Sequence, residues 1–194
     1  MGKAEVFEYE LSFIKNPQIK EFTIKALEIL PDYFFEVAAS SSGKYHPSYA
    51  LGEGGLVRHT KAAVRIAIEL FRCETVTGHF SDDVKDVIIS ALILHDGAKH
   101  GLNGSRYTVA EHPKVVVELI KGNSDTYKDL DEKIFNTIMD GIATHMGAWN
   151  TDFKTKKEVL DKPKTGVQNF IHMCDYLASR KCLEFNFDVG VSNK

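Results

Sequence analysis

Apolar residues return at spacings of three and four over most of the chain, the period of helices with one face turned inward. Asn16 and Pro17 make a cap and first-turn signal, and Ile19, Phe22, Leu27 and Leu30 follow before Pro31. A second short helix is expected over 32–39, and longer ones over about 55–73, 82–98, 113–121, 129–146 and 164–182. Ahead of them, residues 5–13 alternate, with Phe7, Tyr9, Leu11 and Phe13 on one side, which predicts a short extended segment wrapping the domain. The stretch ASSSGKYHPSYALGEGG, residues 39–55, is rich in Ser, Gly and Pro and reads as a loop. Two further connections, GLNGSRYTVAE (101–111) and GAWNTDFKTKKEVLDKPK (147–164), are long enough to favour a functional role. The expected class is all-α: an N-terminal extended segment and helices over 1–49, a single helical bundle over 50–182, and a tail over 183–194.

Composition narrows the function classes. With 194 residues, 43% of them hydrophobic, the chain can bury one sizeable core, and no composition break argues for two. A net charge of -3 supplies no general basic field, so coating of long duplex nucleic acid is not expected. Small anionic ligands need only a local positive site. Cys73, Cys174 and Cys182 are odd in number, widely spaced and set among apolar residues, which predicts reduced core thiols and a cytoplasmic location. The first residues lack a basic flank and long apolar run, Val6 stands where a myristoylation signal needs Ser or Thr, and no membrane span is expected.

The helical stripes carry the chemistry. Leu56, His59, Ala63, Ile66 and Leu70 share one face; Val84, Val87 or Ile88, and Ala91 lead to His95; Ile134, Ile138 and Ile142 lead to His145. Val167, Ile171, Asp175 and Ala178 lie along one side, and His112 opens a helix continuing inward with Val116 and Leu119 or Ile120. A single inward histidine is commonly a hydrogen-bonded core residue. Four histidines with Asp96 and Asp175 converging on one core would make a costly polar network without a cation, whereas divalent ions neutralise the carboxylates and use the imidazole lone pairs. His95 and Asp96 point about 100° apart on a helix, too far for one narrow coordination position but suited to flanking a metal pair about 3.5–4 Å apart.

The ordered pattern His59, His95-Asp96, His112, His145, Asp175, in the contexts GGLVRHT, LILHDGAKH, EH, ATHMG and CDYLASR, resembles the HD-domain superfamily of metal-dependent phosphohydrolases. The resemblance covers about residues 50–182. It implies that the bundle is an HD domain with its metal site between the helices. Many members hold one metal with His, His-Asp and Asp; the extra His112 and His145 resemble the subset that holds two. In that arrangement Asp96 bridges both ions, His59, His95 and Asp175 complete one site, and His112 and His145 hold the other. Four imidazoles favour manganese, iron, cobalt, nickel or zinc over magnesium. Gly97 is expected to leave room beside the pair.

The resemblance further implies hydrolysis of a phosphoester or phosphoanhydride bond in a small phosphorylated substrate, a nucleotide or short oligonucleotide, by a metal-activated water. Asp96 and Lys99 are the expected catalytic residues; Lys99, as in the family's HDGAK, would bind phosphate or stabilise the transition state. His46, Tyr49, Arg106, Trp149 and Arg180 are candidate substrate contacts, Trp149 by stacking on a base. His172, three residues before Asp175, is expected to orient that carboxylate. His79 and His100 read as surface residues and KTKK (154–157) as a solvated cluster. The chain has His145-Met146 where oligonucleotide-cleaving relatives often show two histidines, and no GYP-type motif, which disfavours the cyclic-dinucleotide branch. GGLVRHT resembles the branch with 3′-to-5′ exoribonucleases, but their accessory domain has no room here. Two alternatives use the same ligand set: a mixed-valent di-iron oxygenase, and a non-catalytic metal-containing regulatory module.

Overall fold

The computed structural model describes residues 2–40, 43 and 46–182, so the expected tail at 183–194 lies outside the described residues. Eight α-helices follow in chain order: α1 (Glu8–Leu11), α2 (Pro17–Glu28), α3 (Gly55–Phe71), α4 (Glu74–Thr77), α5 (Asp82–Leu94), α6 (His112–Lys121), α7 (Glu132–Thr144) and α8 (Gly166–Ala178). Short 3-10 turns stand between them, and the described residues contain no strand beyond an isolated bridge between Thr151 and Glu158. The class is all-α, and no described helix is long and apolar enough to cross a membrane.

Helix α5 occupies the centre because it has no polar face over most of its length. Residues 86–98 are buried without a break, and α5 packs against α2, α3, α7 and α8. The surrounding helices are amphipathic and turn one stripe toward it. On α3 that stripe includes Leu56, His59 and Ala63; on α7 it includes Ile138 and Ile142; on α6, packed on α7, Val116 and Ile120 are fully buried while Leu119 is only half-buried. Their starts are set by local hydrogen bonds: Asn16 Oδ1 accepts from the Gln18 and Ile19 amides, Asp131 Oδ1 from Ile134, and Thr165 and Gln168 form a reciprocal capping box.

Several expectations are corrected. Residues 3–11 are helical, not extended: Lys3–Phe7 is a 3-10 turn running into α1. The buried set there is Phe7, Glu10, Leu11 and Ile14, a three-and-four spacing. The charge of Glu10 hid this stripe; its carboxylate is buried because Arg65 Nε meets Oε1 at 3.2 Å and Lys61 Nζ lies 3.8 Å from Oε2. Helix α5 stops at Leu94 rather than 98, since the chain tightens into i→i+3 turns, Gly97 N to Leu94 O and Lys99 N to Asp96 O. Residues 32–39 yield only a 3-10 turn over Asp32–Phe35. Cys174 is buried as expected, but Cys73 and Cys182 are exposed; all three are free thiols.

Gly97 makes room for packing, not for an ion. A Cβ there would stand 2.7 Å from Leu30 Cδ2 and 2.9 Å from Leu30 Cδ1, and Leu30 is 1% exposed. This close approach seats the end of the α2 segment against the turn that carries His95 and Asp96. Gly97→Ala is expected to destabilise the fold by about 1–3 kcal/mol through overpacking. In a Leu30→Ala background that penalty should nearly vanish in a double-mutant cycle of denaturant unfolding, whereas additive losses would contradict the contact.

Candidate metal centre

Three of the four candidate ligand histidines sit at helix ends, held by one local device. His95 and His145 follow the last residues of α5 and α7, and His112 opens α6. In each, Nδ1 pairs with the carbonyl three residues earlier: Leu92 at 2.7 Å, Val109 at 2.8 Å and Ile142 at 2.8 Å. A carbonyl can only accept, so each Nδ1 carries a proton, and each ring, when neutral, presents its lone pair at Nε2. At the end of α5 the same bond occupies a carbonyl that a helix terminus leaves over, and at the end of α7 it joins the His145 amide on Ile142 O.

Those lone pairs meet around Asp96, which is 2% exposed. Asp96 Oδ2 lies 3.4 Å from His95 Nε2 and 3.6 Å from His59 Nε2, while Asp175 Oδ1 is 2.9 Å from His59 Nε2 and 3.4 Å from His95 Nε2. Asp96 Oδ1 faces the other way, 3.1 Å from His112 Nε2 and 3.7 Å from His145 Nε2. The two oxygens of one carboxylate thus address two separate groups of donors. With metal–ligand bonds of about 2.1 Å, neighbouring ligands stand about 3.0–3.4 Å apart, close to these separations.

The electrostatics ask for a cation. His112 Nε2 and His145 Nε2 are 3.2 Å apart with both Nδ1 atoms already protonated, so two lone pairs confront each other unless a proton or metal lies between them. His59 Nδ1 is buried without a hydrogen-bond partner, and His95 Nε2 faces the two carboxylates, Asp96 Oδ2 and Asp175 Oδ1, each at 3.4 Å. Burial opposes charge on both carboxylates, yet Lys99 and His95 hold Asp96 well below the usual range, and hydrogen bonds from His59 and His95 do the same for Asp175. Burial also opposes charge on His95, but Asp96 and Asp175 outweigh it and raise this histidine to about 10. Burial, with His95 and His112 as neighbours, lowers His145 to about 3 and keeps it a neutral donor. Without a metal, the ionised carboxylates are answered by Lys99, 2.6 Å from Asp96 Oδ2, and by a proton on His95. Two sets of these donors lie close enough together to hold an ion, His59, His95 and Asp175, and His95, Asp96 and His145, with His112 Nε2 3.1 Å from Asp96 Oδ1 beside the second.

A cavity of about 260 Å³ opens beside the first group, lined among others by His46, Lys99, Trp149, Tyr176 and Arg180. His46 crosses the His59 ring edge-on at 5.3 Å between centroids, and burial, followed by His59 and Lys99, lowers it to about 3. Trp149 stacks on Tyr176 at 5.4 Å, and the Arg180 guanidinium lies over Tyr176 at 4.3 Å. Tyr176 had no signal beyond its place one residue after Asp175. Tyr49 is a tether, its hydroxyl donating to Ala178 O at 3.0 Å, and it lines neither this cavity nor the larger groove described below. Arg106 lies over the Tyr107 ring, 5.4 Å from its centroid.

His172 supports a different residue from the one expected. Its Nδ1 pairs with His145 O at 2.7 Å, so it braces the turn after α7 rather than Asp175. Gly147, at φ +57°, permits this approach, because a Cβ there would stand 2.3 Å from the His172 ring. His100, expected at the surface, is half-buried and stacks on Tyr33 at 5.5 Å. Comparison with protein-family models, curated proteins and solved structures finds no match to this chain.

Two outcomes follow. Elemental analysis of gently purified protein should find two transition-metal ions per chain; His112→Ala or His145→Ala should leave one, and Asp96→Ala should lower both while helical circular dichroism persists. Chelation should lower the melting temperature, and readdition of manganese or zinc should restore it, since binding to the folded state alone adds about 2.7 kcal/mol at a hundredfold excess over Kd.

Proposed function

We propose that this chain is a metal-dependent phosphohydrolase of the HD-domain type, acting on a nucleotide or short oligonucleotide. The observation that carries the reading is the divided Asp96 carboxylate, each oxygen directed at its own set of imidazole donors inside a buried core. Divalent ions held there would bring a bound water near neutral pKa and would polarise phosphoryl oxygens. His59, His95, Asp96 and Asp175 would hold one ion, and Asp96, His112 and His145 the other.

The protein's own groups supply the rest. Lys99 and Arg180 place positive charge on the wall of the cavity beside Asp175, where an anionic phosphoryl group would lie. Lys99 shares its charge with Asp96 now, and a bound phosphate offers it a second anionic partner across a short reach. His46, neutral and half-buried, closes the side of the cavity over His59 and limits water there. Three helix-end bonds to backbone carbonyls keep the donor rings in place before any ligand arrives.

The test is release of phosphate or nucleoside from a panel of nucleotides and short oligonucleotides under each metal found in the protein. Hydrolysis of a panel member is expected. Asp96→Asn should abolish it, and Lys99→Met should lower kcat/KM by about 10²-fold or more while metal content stays constant. Oxygen-dependent turnover with two irons and no hydrolysis would assign the site to the oxygenase chemistry instead.

A further inference from the structure

A second, larger hollow borders the cluster at His112. A groove of about 720 Å³ runs between the 101–111 and 147–164 connections, and His112 is among its lining residues. Met146 and Trp149 line both this groove and the smaller cavity beside Asp175. The two hollows therefore meet at Trp149, each adjoining one of the two donor groups. Its size falls within the range of about 300–1,000 Å³ that holds small ligands.

The groove carries aromatic rings that the fold leaves in water. Tyr107 is 59% exposed, Trp149 54% and Phe153 84%. Phe153 is not on a slack loop. Thr151 bridges Glu158, Asp152 N donates to Lys157 O at 2.9 Å, and Lys156 N donates back to Asp152 O at 2.9 Å. Asp152 Oδ1 also accepts from the Thr155 and Lys154 amides, and Lys156 takes a left-handed φ of +59°, the one non-glycine residue to do so among the described residues. A turn with this much internal bonding holds Phe153 outward by construction. Cations attend the rings: Lys156 Nζ is 4.1 Å from the Phe153 centroid, the Arg106 guanidinium 5.4 Å from that of Tyr107, and Lys154 lines the groove.

We propose that this groove is a base-stacking subsite, in which Tyr107, Trp149 and Phe153 hold a nucleobase whose phosphate reaches the Asp96 cluster. The proposal rests on the phosphohydrolase reading and narrows it to substrates with an aromatic group beyond the scissile phosphate on the His112 side. Rings accompanied by positive charge suit a planar base attached to an anion. An alkyl chain would gain nothing from the cations. The smaller cavity shares Met146 and Trp149 with this groove, and the two together have space for both arms of a phosphodiester.

Trp149 is the sole tryptophan and lines both hollows, so its fluorescence reports on a ligand in either without requiring turnover, and substitutions at Phe153 and Tyr107, which line the groove alone, tell the two apart. The protein as purified is mixed with 5′-AMP and the initial emission change recorded, with ribose 5-phosphate as the probe lacking a base and dodecyl phosphate as the probe with an alkyl tail. Saturable quenching by AMP, absent with ribose 5-phosphate, is expected. Phe153→Ala and Tyr107→Ala, both at exposed positions, should each weaken it about five- to tenfold. Equal quenching by ribose 5-phosphate, tighter binding of dodecyl phosphate, or AMP affinity unchanged in both variants would overturn the proposal. So would emission that responds only to protein concentration, which would make the groove a contact between copies. If no phosphoester is hydrolysed but AMP quenching depends on Phe153, the hydrolase reading fails and the subsite stands.

Discussion

A buried, ionised aspartate governs this molecule. Asp96 sits at the end of the most completely apolar helix of the bundle, where an unpaired carboxylate would cost several kcal/mol. Part of its compensation is local, from Lys99 and His95 in its own turn, and part comes from His59 of α3, His112 of α6 and His145 at the end of α7. The three histidines from other helices can reach it only when those helices have packed. The polar cluster therefore specifies which helix ends meet, while the surrounding isoleucines, leucines and alanines supply the burial.

The division of labour between helix ends and connections follows from the same physics. Donor atoms must be held within tenths of an ångström, and helix ends with side chains bonded to their own carbonyls provide that rigidity. The walls of the two hollows need shape and exposure, and these come from the 101–111 and 147–164 connections and from the start of the turn after α8. Trp149 belongs to both because it follows His145 within one short turn and stacks back on Tyr176 of α8. Gly147 permits that turn, and His172 pins it from below.

Much of the site was legible because burial and chemistry coincide on a helical period. His59, His145 and Asp175 each extend an apolar stripe, so their inward direction could be read without a structure. Gly97 and His172 were misread because sequence distance was taken for spatial address. The first is crowded by Leu30, far away in sequence, and the second lies against the His145 carbonyl. The N-terminal segment is helical where the alternation of Phe7, Tyr9, Leu11 and Phe13 predicts an extended one, because the inward stripe runs through the charged Glu10. A buried ion pair with Arg65 makes Glu10 an inward residue, and pairwise burial of this kind leaves no trace in local periodicity.

The all-α class, the helix start at Asn16 and the inward set of ligand-type side chains are set by the sequence alone, since propensity, capping and amphipathic spacing act within a few residues. Only the tertiary structure decided that the Asp96 oxygens divide between two donor groups and that Tyr107 and Phe153 share a groove with Trp149. Those facts depend on where the ends of separate helices and the connections between them come to rest. That is fixed by packing across the whole bundle, over separations that local sequence patterns do not encode.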